Sequence, residues 1–254
     1  MIGPLPFQDS SNFELSPEVS LLQKEIIKAK NVSDDLEMKI NADKTKIFVV
    51  NFSKNHQFIP RFRVPGTPCD LEVVASTKLV GVTLTNDLKF HEHVQNLVKK
   101  GNSKLWMLRH LKQFSISLND LIEIYTIFIR SGLEYCVPVW NPSLTVENKG
   151  DIERIQKTAL KILLGESYEN YDKALENTML KSLEERREDL CLAFALQCTK
   201  NEQHKNLFKL SDNSFLHHPP KFQPPFSLNE RYRKSPIPYL TDLLNRNHHE
   251  KSST

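Results

Sequence analysis

Residues 78–114 read KLVGVTLTNDLKFHEHVQNLVKKGNSKLWMLRHLKQF, and the hydrophobic period changes part-way along. The segment 78–84, KLVGVTL, is rich in β-branched side chains over a strand's length and predicts a strand. Beyond His91, residues Val94, Leu97, Val98, Leu105, Leu108 and Leu111 recur at helical spacing and predict a helix over 91–113. The chain after that point is almost all helical in pattern. A small sheet therefore ends here and a helical region begins.

Upstream, KIFVVNF at 46–52 predicts another strand, and PGTP at 65–68 marks a turn between the two strands. Before them, Ser16-Pro17-Glu18 offers an N-cap with Pro at the first helical position, followed by Val19, Leu22, Ile26 and Ala29 at helical spacing. A second short helix is expected near Ser33, carrying Leu36 and Ile40 inward. Downstream, one stripe holds Leu118, Leu121, Ile122, Tyr125, Phe128 and Ile129. Another holds Ile152, Ile155, Ala159, Ile162 and Leu163, closed by Gly165. A further stripe holds Leu183, Leu190, Cys191, Phe194 and Cys198. The expected fold class is α+β, mostly α, with a small antiparallel sheet ahead of the helices. Residues 1–17 are expected to be a frayed leader. Residues 211–238 are Pro- and His-rich and expected to be extended, with a short helix over 239–246.

Composition narrows the function classes. The chain has 254 residues, enough to bury a real core, and a net charge of +3, so nucleic-acid binding would need local clustering of its cations. Glycine is scarce, at seven, and no Gly-rich phosphate loop is present. No apolar run approaches a membrane span and no signal peptide is evident, so no membrane partner is expected. The four cysteines lack C-x-x-C spacing, which makes a reduced, intracellular protein the expectation, with cytoplasm and nucleus unresolved.

Four groups of residues invite functional readings. Asp34-Asp35 could hold a metal, but neighbours on a helix diverge by about 100°. Their simpler role is the first turn of a helix capped by Ser33, where the macrodipole favours negative charge. His91-Glu92-His93 lacks a third ligand at metal spacing, and no metal site is assigned. On the helix at 91–113, Lys99, Asn102, Trp106 and Arg109 fall together, away from the apolar stripe. Lys and Arg there would neutralise phosphates while the indole offers a stacking surface. Alternatively, Trp106 packs on a neighbouring helix and the cations are simply solvated. Arg187 lies between Leu183 and Leu190 on an apolar face, so its guanidinium needs a partner, with Glu134 or Asp151 expected in a structural ion pair.

Six phrases in order carry a resemblance: NADKTKIFVVNF, then 78–114, then LIEIYTIFIRSGLEYCVPVWNP, IERIQKTALKILLG, SLEERREDLCLAFALQC and KSPIPYLTDLLN. Together they resemble the C-terminal part of reverse transcriptases of jockey-like non-LTR retrotransposons, from about residue 30 to about 246. The resemblance implies that Asn41, Lys44 and Thr45 match an Asn-x-x-Lys-Thr motif at the palm edge, near the incoming nucleotide's phosphates. It implies that Lys78, Leu79, Val80 and Gly81 match the strand and turn that help hold the primer end. It also implies a remnant of the palm over 18–90, thumb-like helices over 91–140, a helical region over 141–210 and a tail over 211–254.

The departure from that family is its metal chemistry. The family's palm aspartate and Tyr/Phe-x-Asp-Asp hairpin have no counterpart here, so no catalytic residue is assigned. Mg²⁺ is expected only in a complete parent enzyme. The expected function is that of a reverse transcriptase fragment binding an RNA/DNA template–primer duplex without catalysis alone, with the absent palm and fingers portion as a further partner. The alternative is a helical protein–protein interaction module derived from such an element.

Overall fold

The computed structural model describes residues 17–50, 61–211, 220–227 and 229–252. The Ser16 cap, almost all of the expected leader and residues 212–219 of the Pro- and His-rich segment lie outside the described residues. The fold is α+β and mostly α. Two compact units divide between Thr77 and Lys78.

In the first unit, helix α1 (Pro17–Asp35) runs without a break, since neither Gly nor Pro interrupts it after Pro17. It ends where Glu37 takes φ 55°, which returns the Glu37 and Met38 N–H groups to the carbonyls of Asp34 and Ser33 at 3.0 and 2.8 Å. Ser33 thus closes a helix instead of opening one, its hydroxyl donating to Met38 O at 2.7 Å. The short helix expected near Ser33 is absent. Asp34 and Asp35 occupy the negative end of the α1 dipole, and Lys30 offsets Asp34 from one turn back. Leu36 faces solvent, whereas Ile40 packs inward.

Strands β1 (Lys46–Phe48) and β2 (Glu72–Val74) pair in parallel, with Ile47 opposite Val73. This corrects the antiparallel expectation for β1, because the connection from 49 to 71 is long enough to cross over. Ile47, Phe62, Val64 and Leu71 form the small core of this unit. Strands β3 (Ser76–Leu79) and β4 (Val82–Thr85) make a hairpin, so the expected single strand at 78–84 bends back on itself. Its two linking residues, Val80 and Gly81, both have positive φ, at 46° and 87°. That is the geometry of a type I′ turn, whose twist suits antiparallel strands.

In the second unit, α2 (His91–Lys112) buries Val94, Leu97, Leu105 and Leu108. Gly101 permits its close approach to the later helix at 146–164, since an added Cβ would sit 3.2 Å from Ile155 Cγ2. After α2 come α3 (Leu118–Ile124), a π-helical stretch (Tyr125–Arg130), α4 (Ser131–Glu134) and α5 (Val137–Trp140). The later helices are α6 (Val146–Leu164), α7 (Tyr171–Thr178), α8 (Leu183–Lys200), α9 (Glu230–Arg233) and α10 (Pro236–Ser252). Helix α8 opens with a capping box between Ser182 and Glu185. Helix α10 is longer than the expected 239–246, and buries Leu240, Leu243 and Leu244 in the same core as α2 and α6. The stretch expected to trail as a tail therefore ends in a core helix.

Arg187 is buried, but neither expected partner reaches it. Glu134 receives both arms of Arg186, at 3.0 and 2.9 Å, and Asp151 pairs with Arg154 at 2.9 Å. Arg187 Nε donates to Asn141 Oδ1 at 3.1 Å, while Nη1 and Nη2 lack partners among the described residues. Burial holds its pKa below the ordinary arginine value. The four cysteines are free thiols. Among the described residues no helix is long and apolar enough to cross a membrane.

Candidate nucleic-acid interface

Helix α2 presents two polar faces beside its buried stripe, because successive residues rotate by about 100°. The outer face brings together Lys99, Asn102, Trp106 and Arg109, all exposed. Trp106 does not pack on a neighbouring helix. It is 62% exposed and meets His110 of its own helix edge-on, with ring centroids 4.3 Å apart. Among the described residues Lys99 and Arg109 have no carboxylate partner. A large indole left in water between two unpaired cations presents a flat apolar surface and positive charge together.

The other polar face forms one wall of a cleft of about 470 Å³, lined by Lys78, Gly81, His93, Lys100, Gly101, Lys104, Ser131, Gly132 and Tyr135, with Leu97, Ile129 and Leu133 beneath. Lys104 donates to the Phe128 carbonyl, one of the groups displaced from regular pairing by the π-helical stretch. Among the described residues no carboxylate lines this cleft. Its glycines keep the walls low, so the lysines stand above an apolar floor.

The hairpin is fastened at its tip and along β4, where Val82 is also buried in the core. Tyr135 lays its ring over the turn, where a Cβ on Gly81 would lie 3.1 Å from Tyr135 Cε1, and donates from its hydroxyl to Val80 O at 2.8 Å. Val80 needs such support, because a β-branched residue at positive φ is strained. On β4, His93 Nδ1 accepts the Thr83 N–H at 3.2 Å inside the protein, and the Asn96 side-chain N–H donates to the Thr83 hydroxyl at 3.4 Å. Trp140 joins the two holders. Its indole N–H donates to Tyr135 O at 2.8 Å, and its ring lies 5.6 Å from that of His93.

Of the sequence-predicted residues, Lys78 and Gly81 line the cleft, whereas Leu79 and Val80 project into solvent, 61% and 76% exposed. In the first unit, Asn41, Lys44 and Thr45 form one turn. Asn41 Oδ1 accepts the Lys44 N–H at 3.2 Å, and Thr45 Oγ1 donates to Asn41 O at 2.8 Å. The motif thereby fixes its own backbone and leaves Lys44 exposed at the entry to β1. Sequence reading missed Lys100, Lys104, His93 and Tyr135 as companions of Lys78. Lys100 and Lys104 at i,i+4 were the available signal; nothing in the sequence pointed to Tyr135.

Among the described residues, the side chains that invited a metal reading do not converge. Asp34 is engaged by Lys30, while His91 meets Asn148 Oδ1 at 3.0 Å and Gln95 at 2.8 Å. His93 is buried against Thr83. Among the described residues no three His, Cys, Asp or Glu side chains converge. Compared with known proteins, the chain matches no family model, no curated protein and no solved structure.

Proposed function

We propose that this chain binds the sugar–phosphate backbone of an RNA/DNA template–primer duplex along α2, as the C-terminal part of a jockey-like reverse transcriptase would. It supplies binding and no metal chemistry of its own. The observation that carries the reading is the exposed Trp106 between Lys99 and Arg109. Unpaired cations on a rigid helix neutralise phosphates without first breaking an ion pair, and each phosphate contact releases a condensed counterion. The indole adds a stacking platform for an unpaired base or a terminal pair. The lysine-lined cleft continues this positive surface to the hairpin, where Lys78 and Gly81 stand at the position that the resemblance gives to the primer end.

Fluorescence anisotropy with a short RNA–DNA hybrid bearing a template overhang tests this. Log affinity should fall steeply against log salt, and Lys99→Ala with Arg109→Ala should flatten that slope by about 0.9 for each phosphate that is no longer neutralised. Trp106→Ala should weaken binding by about 1–3 kcal/mol, mainly through the overhang. An unchanged slope in the double variant would remove α2 from the interface.

A second reading, a protein–protein interaction module, is favoured by one observation. Ile127 and Phe128 are both more than half exposed, side by side on the π-helical stretch. It calls for a partner held independently of salt and for no duplex affinity.

A further inference from the structure

We infer that His93 is a positioning residue that must stay neutral for the hairpin to hold Lys78 against the cleft, so that proton uptake by His93 loosens the proposed interface. This rests on the proposed binding reading and names a way in which that site is regulated.

The geometry fixes the protonation state. Nδ1 accepts the Thr83 N–H, so it carries no proton, and the neutral ring bears its hydrogen on Nε2. Nε2 is buried and has no partner among the described residues. A second proton would have to go to Nδ1. It would then face the Thr83 N–H, donor against donor, and that hydrogen bond would be lost. The new positive charge would also be poorly tolerated. On its own helix it would meet Lys100 and, further along, Lys104. The hairpin brings Lys78 and the end of α4 brings Tyr135 to the same cleft, while Trp140 of α5 packs on the ring. None of these side chains offers a carboxylate. Burial first, and Lys100 second, accordingly hold the imidazole below its ordinary pKa of 6.5.

The sign follows from that depression. The unfolded chain takes up a proton on this histidine at a higher pH than the folded chain does. The stabilisation is therefore complete above pH 6.5 and is lost as pH falls through 6.5 towards the lower folded value. The Thr83 backbone would then lose its partner, leaving the hairpin to Tyr135 at its strained turn, the long Asn96 contact with the Thr83 hydroxyl at 3.4 Å and the packing of Val82, and Lys78 would be held less firmly over the cleft. A histidine acting only through its charge would do the opposite, since added positive charge in a phosphate-binding cleft raises affinity at low pH. The contribution of His93 is therefore read as a difference between proteins.

The experiment uses the whole chain. Nitrogen-15 NMR of wild type without nucleic acid should give an Nε2–H tautomer for His93, titrating below 6.5, with Thr83 amide protection lost at the same midpoint. Duplex affinity at fixed salt is then compared between pH 8 and pH 5 for wild type and His93→Asn. The asparagine side chain can accept the Thr83 N–H and cannot titrate. Relative to this variant, wild type should lose roughly three- to tenfold in affinity as His93 titrates, the scale of one phosphate interaction. A His93 midpoint at or above 6.5, or Thr83 protection that persists through the titration, overturns the inference even if the variant fails to fold. So does an identical pH profile for the two proteins. If the NMR step is present but no duplex binds, the pin stands and the proposed function fails.

Discussion

The two units bury apolar surface on very different scales. Among the described residues the first unit rests on four buried hydrophobic side chains, Ile47, Phe62, Val64 and Leu71. The second joins stripes from α2, α3, α6, α8 and α10 into one core around Trp140, Tyr125 and Leu163. A buried aliphatic or aromatic side chain contributes about 1.5–3 kcal/mol, so the second unit has stability to spare and the first does not. The first compensates with local devices: the Glu37 helix ending, the Asn41 turn and the Arg63–Asp70 pair at 2.8 Å. Large cores tolerate strain, and the second unit carries it, in the Val80 turn and in the half-satisfied Arg187. Small cores depend on their turns.

The largest effect that separates the units is expected from Trp140→Ala. It should cost about 3–5 kcal/mol by leaving a cavity, measured by urea unfolding of the second unit. A loss below about 1 kcal/mol would mean that the core is not keyed on this indole. Next, Phe62→Ala should cost about 3 kcal/mol in the first unit alone. Hydrogen exchange should then accelerate at residues 46–48 and 71–74 while the α6 amides keep their protection. Equal acceleration in α6 would show that the two units unfold together. The smallest effect, about 1 kcal/mol, is expected for Asn41→Ala, which removes the side-chain acceptor that closes the turn before β1. Exchange at the Lys44 amide reports it, and an unchanged rate would assign the turn to its backbone bonds alone.

Much of this was legible in the sequence because the helical stripes are long and regular. The α2 face needed only the wheel: Lys99, Asn102, Trp106 and Arg109 had to share a side once Leu97, Leu105 and Leu108 pointed inward. Other features left no local trace. Val80 sits at a turn position that normally takes Asn or Gly, so the hairpin read as one strand. Ser33-Asp34-Asp35 has the composition of a helix start, and only the unbroken run of α1 before it makes it an end. The parallel pairing of β1 with β2 joins distant segments. Adjacent Arg186 and Arg187 competed for Glu134, and rotation about the helix, rather than burial, decided which one reached it. The π-helical stretch keeps an α-helical hydrophobic pattern, so the shifted pairing that exposes Phe128 was invisible.

The fastening of the hairpin has a mechanical meaning. Val80 O, Tyr135, Trp140, His93 and Thr83 N–H form a closed loop that leaves the hairpin at its tip and returns to it at β4. A closed loop of struts behaves as a truss. A sideways load on the tip reaches the buried indole by two routes, one through a tyrosine and one through a histidine. Removing either route shifts the load onto the other and onto the buried Val82 beside it.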